Sequence, residues 1–399
     1  MWTAFGDDDA EMWVLHSLSI LITNYTRMTI IEQEFLDLTQ SLDVAAFWAE
    51  NERCHAFTTA KPRCAASFSP DDHWLFEFFQ VPSTVRYYHD KAYRDDLHRQ
   101  ANAVTQQYVG KAFFDEDSWQ HSPKRIENLF GCEFAYHEGG TPWLIPVTDD
   151  PAEFSRILDR AEAIDLASWA FPDAFLAEWE ERKRAGKPLP ALGTGSRGPA
   201  TIITSVLHPE TAIFWMLDYP ELMHRFSDLL AEKMVALNRL LRDFSGNTEP
   251  GWWITDDNCA LLNRALYCEF CYPVLEKVLD ALAPGGARRY QHSDSAMAHL
   301  LDDQYALGIR EVNYGPTVDA GLIRQKMPDT LIYGHLPPFL LRNGSPEAIR
   351  ERIVSDFVKA GANGGLHVTT AGSLAAGTGV GRMRWFMWVV QEKCRYHER

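Results

Sequence analysis

The sequence predicts an α/β fold, a (β/α)8 TIM barrel with an N-terminal, mostly helical extension. Two observations predict it. From about residue 200, five short strands alternate with helices, the rhythm of a parallel sheet. Nearly every one of these strands also ends in polar, chemically capable residues, as expected where C-terminal strand ends build the rim of a barrel site. A doubly wound sheet is the alternative, because periodicity alone does not separate the two.

Taken in order, residues 1–27 read as a loosely ordered extension, with Met28 an alternative start, and 28–399 as one barrel domain. The apolar run WVLHSLSILI (13–22) is too short to span a bilayer and follows an acidic stretch, where a secretory signal needs a basic one. MTIIEQEFLDLTQSL (28–42) and KAYRDDLHRQANAVTQQYVG (91–110) are helical stretches. HWLFEFFQVPSTVRYY (73–88) is an apolar run whose aromatic residues are a candidate wall for the site. KPLPALGTGSRGPA (187–200) is a loop by its Gly, Pro and Ser content. The strands are then GWWITDD (251–257), RRYQHSD (288–294), IREVNYG (309–315), TLIYGHL (330–336) and GLHVTTAG (365–372). Helices precede and separate them, from PELMHRFSDLLAEKMVALNRLLRDF (220–244) and ALYCEFCYPVLEKVLDAL (265–282) to GRMRWFMWVVQEKC (381–394).

A formal charge of −17 and a pI near 5.3 disfavour nucleic acid or an anionic membrane as the main partner and fit a cytoplasmic protein. A small-molecule substrate remains, since a local cationic pocket can sit inside an acidic protein. The seven scattered cysteines are expected as reduced thiols, the Cys268–Cys271 pair included, because no second pair follows at zinc-ribbon spacing. GTGVG (377–381) lacks the spacing of a dinucleotide fingerprint, so no NAD or nucleotide cofactor is expected.

The candidate site comes from the strand ends. His292 and Asp294 stand two apart and so share a strand face, where they can hold a divalent metal or work as acid and base. Of the adjacent Asp256 and Asp257, one can face the barrel mouth while the other caps a helix. Asn313 and Glu311 share a face, His335 precedes two stiffening prolines, and Arg197 lies between glycines that let a ligand approach; these four are the substrate-binding candidates. His367, farther from the rim, reads as a core histidine, Thr369 and Thr370 as strand-end polar groups, and Tyr136, His137 and Glu138 as a further polar loop.

GTGSRGPAT (193–201), YPELMHRFSDLL (219–230), DDNCALLNRALYCEFCYPVLEKVLDAL (256–282) before YQHSD, and GHLPPFLLRNGSPEAIRERIV (334–354) together resemble the uroporphyrinogen decarboxylase superfamily, which includes zinc-dependent corrinoid and coenzyme M methyltransferases. FGCEFAYHEGGTPWLIPVTDDPAEF (130–154) resembles it more faintly. The arginine-rich N-terminal segment and catalytic F-x-D-I aspartate of true decarboxylases of this superfamily are missing here. Where the zinc methyltransferases carry His-x-Cys, this chain carries His292 and Asp294, and TTAGS (369–373) replaces the second cysteine. Carboxylate in place of thiolate suits a harder Zn, Fe or Mn centre.

The resemblance thus implies metal-assisted methyl transfer or related bond cleavage on a small substrate, with a corrinoid protein as partner and a homodimer as assembly. Two alternatives stay open: a metal-free decarboxylase or lyase using aspartate and histidine as acid and base, and a non-catalytic binding partner.

Overall fold

The computed structural model describes residues 32–396, so the expectations for residues 1–27 and for Met28 lie outside the described residues. Seven strands form one all-parallel sheet: β1 (Ala65–Ala66), β4 (Gly195–Arg197), β5 (Gly251–Thr255), β6 (Arg288–Ser293), β7 (Glu311–Tyr314), β8 (Leu331–Leu336) and β9 (Leu366–Thr370). Their order is β1-β9-β8-β7-β6-β5-β4. A hairpin, β2 (Glu133–Ala135) and β3 (Trp143–Ile145), stands apart.

The sheet curls into a barrel. Asn313 on β7 donates to the Thr370 carbonyl, two strands away on β9. Asp294 after β6 lies so close to Gly372 after β9 that a β-carbon there would be 2.5 Å from its Oδ1. In a flat sheet strands three apart are separated by roughly 14 Å. The ladder is open between β4 and β1, and both edges are managed locally. At β1, the Asn51 side chain replaces a neighbouring strand, accepting from Ala66 N–H and donating to Ala66 C=O. Beside β4 lies the short helix Ile126–Leu129, whose Glu127 faces Arg197 at 3.6 Å.

All five expected strands are present. The segment 187–200 is not loop throughout, since it contains β4 and the start of the helix Pro199–Val206. The long helix Pro220–Ser245 follows the expected pattern, whereas 265–282 is split into Arg264–Phe270 and Tyr272–Leu282. Pro273 causes the break, having no N–H for the carbonyl four residues back.

The run 73–88 folds as two helices, Asp72–Phe79 and Thr84–His89, with Trp74, Leu75, Phe76, Phe78 and Tyr87 in the core. Burial of these rings stabilises the two helices. All seven cysteines are unpaired, and Cys271 is fully buried. No helix among the described residues is long and apolar enough to cross a membrane.

Candidate active site

The barrel mouth brings together Asp257, His292 and Asp294, with one ligand atom from each lying within 4.8 Å of the others. His292 Nε2 is 3.6 Å from Asp257 Oδ1 and 3.6 Å from Asp294 Oδ1. Both gaps exceed hydrogen-bond length. Tetrahedral ligands at about 2.1 Å from an ion are roughly 3.4 Å apart, so the spacing and the donor set suit a divalent cation.

Asn313 sets the imidazole. Its Nδ2 donates to the carbonyls of Tyr333 (2.6 Å) and Thr370 (3.0 Å), which leaves Oδ1 as acceptor for Gly372 N–H (3.0 Å) and for His292 Nδ1 (2.8 Å). In the neutral ring the proton therefore sits on Nδ1, and the Nε2 lone pair points between the two carboxylates. Asp257 is tied in turn: its Oδ1 accepts from Asp294 N–H at 2.9 Å, and its carbonyl accepts from the Ser295 hydroxyl. Enclosure in the mouth raises the Asp294 carboxyl above its ordinary value, and Asp257 and Asp71 raise it further against the pull of His292.

Of the two adjacent aspartates, Asp257 faces the mouth. Asp256 is turned outward and fully buried, its Oδ1 accepting from Thr201 N–H (2.8 Å) at the start of the helix Pro199–Val206. Burial pushes its carboxyl up to about 7. It is a helix anchor and does not join the site.

Three other expectations need correction. His335 is completely buried behind the rim, with Nε2–H donating to the Val318 carbonyl, and burial holds it down to about 4. Glu311 faces the lumen but one layer lower, where it pairs with Arg288 (2.8 Å) and accepts from the Tyr333 hydroxyl (3.2 Å). Asn313 orients His292 and has no donor left for a substrate. His367 is a buried histidine, bonded to Ser67 (3.0 Å) and tilted against Tyr333.

Thr369 and Thr370 are buried, and the Thr370 hydroxyl donates to the Gly372 carbonyl at 2.8 Å. Glu138 caps the helix Thr84–His89 through Ser83 Oγ (2.7 Å) and Thr84 N–H (2.7 Å), while the neighbouring Tyr136 and His137 are exposed.

Arg197 lines a cavity of about 380 Å³ that runs along β4 and includes Lys124, Arg125, Glu127, Trp253 and Thr255. Lys124, Arg125 and Glu127 carried no sequence signal, since the segment is neither periodic nor motif-bearing. Their placement depends on the open edge of the sheet.

Comparison with known proteins agrees with this architecture. The chain is similar to a methyltransferase from Methanosarcina mazei, with 14% identity, 83% of this chain and 94% of that chain covered, and a TM-score of 0.54. At that identity the likeness shows the fold. A comparison with curated proteins finds no match. The family model for uroporphyrinogen decarboxylase (URO-D) matches residues 125–392, which include β2 to β9 and the whole Asp257, His292, Asp294 cluster, and the chain therefore belongs to the uroporphyrinogen decarboxylase (URO-D) family.

Proposed function

We propose that the protein is a barrel enzyme in which Asp257, His292 and Asp294 hold a divalent cation, Zn, Fe or Mn, for methyl transfer or related bond cleavage on a small substrate. The observation that carries this is the convergence of two carboxylates on an imidazole lone pair whose tautomer is set by Asn313. Such a cation supplies Lewis acidity that polarises or deprotonates a bound group.

The chain's own residues do the rest. Asn313 holds the proton of the neutral ring on Nδ1, so that Nε2 is the ligand atom, and the Asp294 N–H holds Asp257 Oδ1 in place before any ligand arrives. Methyl transfer, with a corrinoid protein as methyl donor, belongs to the proposal through the family resemblance, and the methyltransferase of similar fold supports the barrel framework.

Metal analysis of protein purified without chelator tests the reading. Near one equivalent is expected, lost in His292→Ala, Asp257→Asn and Asp294→Asn but retained in Asp256→Asn. A parent chain that neither holds metal nor takes it up on titration overturns it.

One observation favours the metal-free alternative, acid–base decarboxylation or lysis of a carboxylated substrate: the cationic cavity at Arg197. That reading expects activity that survives chelation, with a bell-shaped pH profile.

A further inference from the structure

The β4 cavity has three features that bear on its ligand. First, strand register puts Arg197, Thr255, His292 and Asn313 at one level across four neighbouring strands. At about 4.8 Å per strand, the Arg197 backbone is roughly 10 Å from that of His292, with Thr255 between them. Thr255 lines the cavity, so the space along β4 borders the lumen layer that holds His292.

Second, three cations, Lys124, Arg125 and Arg197, line this space in a protein of net charge −17. The Lys124 ammonium lies over the Trp169 ring at 5.0 Å and the Arg125 guanidinium over the Phe134 ring at 5.1 Å, so a ring face holds each charged group. Third, Glu127 is only 2% exposed, and its Oε1 has no hydrogen-bond partner. Its nearest cation, Arg197 Nη1, is 3.6 Å away, beyond hydrogen-bond length. A buried carboxylate oxygen left without a donor is costly and calls for one from a ligand.

We infer that this cavity holds a small organic acid that also carries an ammonium or hydroxyl group: the carboxylate is bound by Arg197 with Lys124 and Arg125, and the second group donates to Glu127. Arg197 is then a specificity-determining residue, and the bound molecule lies beside Thr255, one strand from His292. The assignment deepens the proposed function and rests on reading the barrel mouth as a substrate site, whichever chemistry the cluster performs.

Calorimetric titration of the full chain tests it, using ω-amino and ω-hydroxy acids of about two to six carbons beside the matching simple carboxylates and amines. The amino or hydroxy acids are expected to bind, the simple carboxylates about tenfold more weakly, and the amines not at all. Arg197→Lys keeps the charge facing Glu127 but loses the planar fork, so affinity for every acid falls by about tenfold while thermal stability is retained. Glu127→Gln abolishes the preference for amino over simple acids.

Asp294→Asn separates this inference from the metal reading, since it is expected to lose metal and keep acid binding. Failure of every acid in the panel to bind overturns the inference, as do affinities that neither Arg197→Lys nor Glu127→Gln changes.

Discussion

Residue-level chemistry turns on Asn313. Its amide makes four hydrogen bonds, to His292, Tyr333, Thr370 and Gly372, and so links β7 to β6, β8 and the end of β9. Removing it frees the His292 ring and leaves two buried carbonyls and an N–H without partners. Asn313→Ala is expected to cost about 2–4 kcal/mol in denaturant unfolding and to weaken metal affinity about 10–100-fold. A variant that unfolds earlier but binds metal as tightly as the parent argues against the orienting role.

His292 and Asp294 were legible in the sequence because a two-residue spacing on a strand fixes a common face. The choice between Asp256 and Asp257 was not. Barrel strands are buried on both sides, so Trp252 and Trp253 read alike as apolar although only Trp252 is fully covered by helices. His335 misled for a related reason: a polar residue at a strand end can turn behind the rim, where here the Val318 carbonyl takes its Nε2–H and Nδ1 is left without a partner.

Among elements, the strand-to-loop junctions decide the site. Gly372 has φ +95°, the left-handed region, and the Asp294 carboxylate occupies the space where its β-carbon would sit. Gly372→Ala is therefore expected to destabilise the protein by about 1–3 kcal/mol and, by displacing Asp294, to reduce retained metal. Thermal unfolding read together with metal content checks both effects.

At β4 the Gly-rich sequence concealed a strand. Gly195 is needed there because the Trp253 ring would lie 2.1 Å from its β-carbon, so glycine marks close approach in a short edge strand and not a loop. Helix limits were easier to read where their signals are local, as at Ser345, whose hydroxyl accepts from Ala348 N–H to cap the helix Pro346–Asp356.

Over the whole molecule, buried histidines and a buried carboxyl of opposite sign set the response to acid. Burial holds His335 down to about 4 and His367 to about 3, so both are neutral in the fold at pH 7. An unfolded histidine titrates near 6.5, so below that pH the unfolded chain binds more protons than the folded one. The histidine contribution to stability is fully present above about pH 6.5 and is lost as pH falls toward 4, with His335 supplying up to about 3 kcal/mol of it. Asp256, pushed up to about 7, works the other way over the same range, because its carboxyl takes up a proton in the fold before it does in the unfolded chain. The His335 contribution is therefore read as a difference: between about pH 6.5 and 4, Tm of His335→Gln is expected to gain on that of the parent, and a constant difference would show that His335 is protonated at no cost.

The sequence by itself determined the barrel's repeating half, because alternation of strand and helix is a local pattern written in consecutive residues. It also determined that His292 and Asp294 share a face. Only the tertiary structure decided that Asp257 completes the cluster, that Asn313 sets the imidazole tautomer, and that Lys124, Arg125 and Glu127 meet Arg197 beside the open edge of β4. These residues stand 21 to 73 positions apart, and their meeting arises from sheet curvature and register, which no local period encodes.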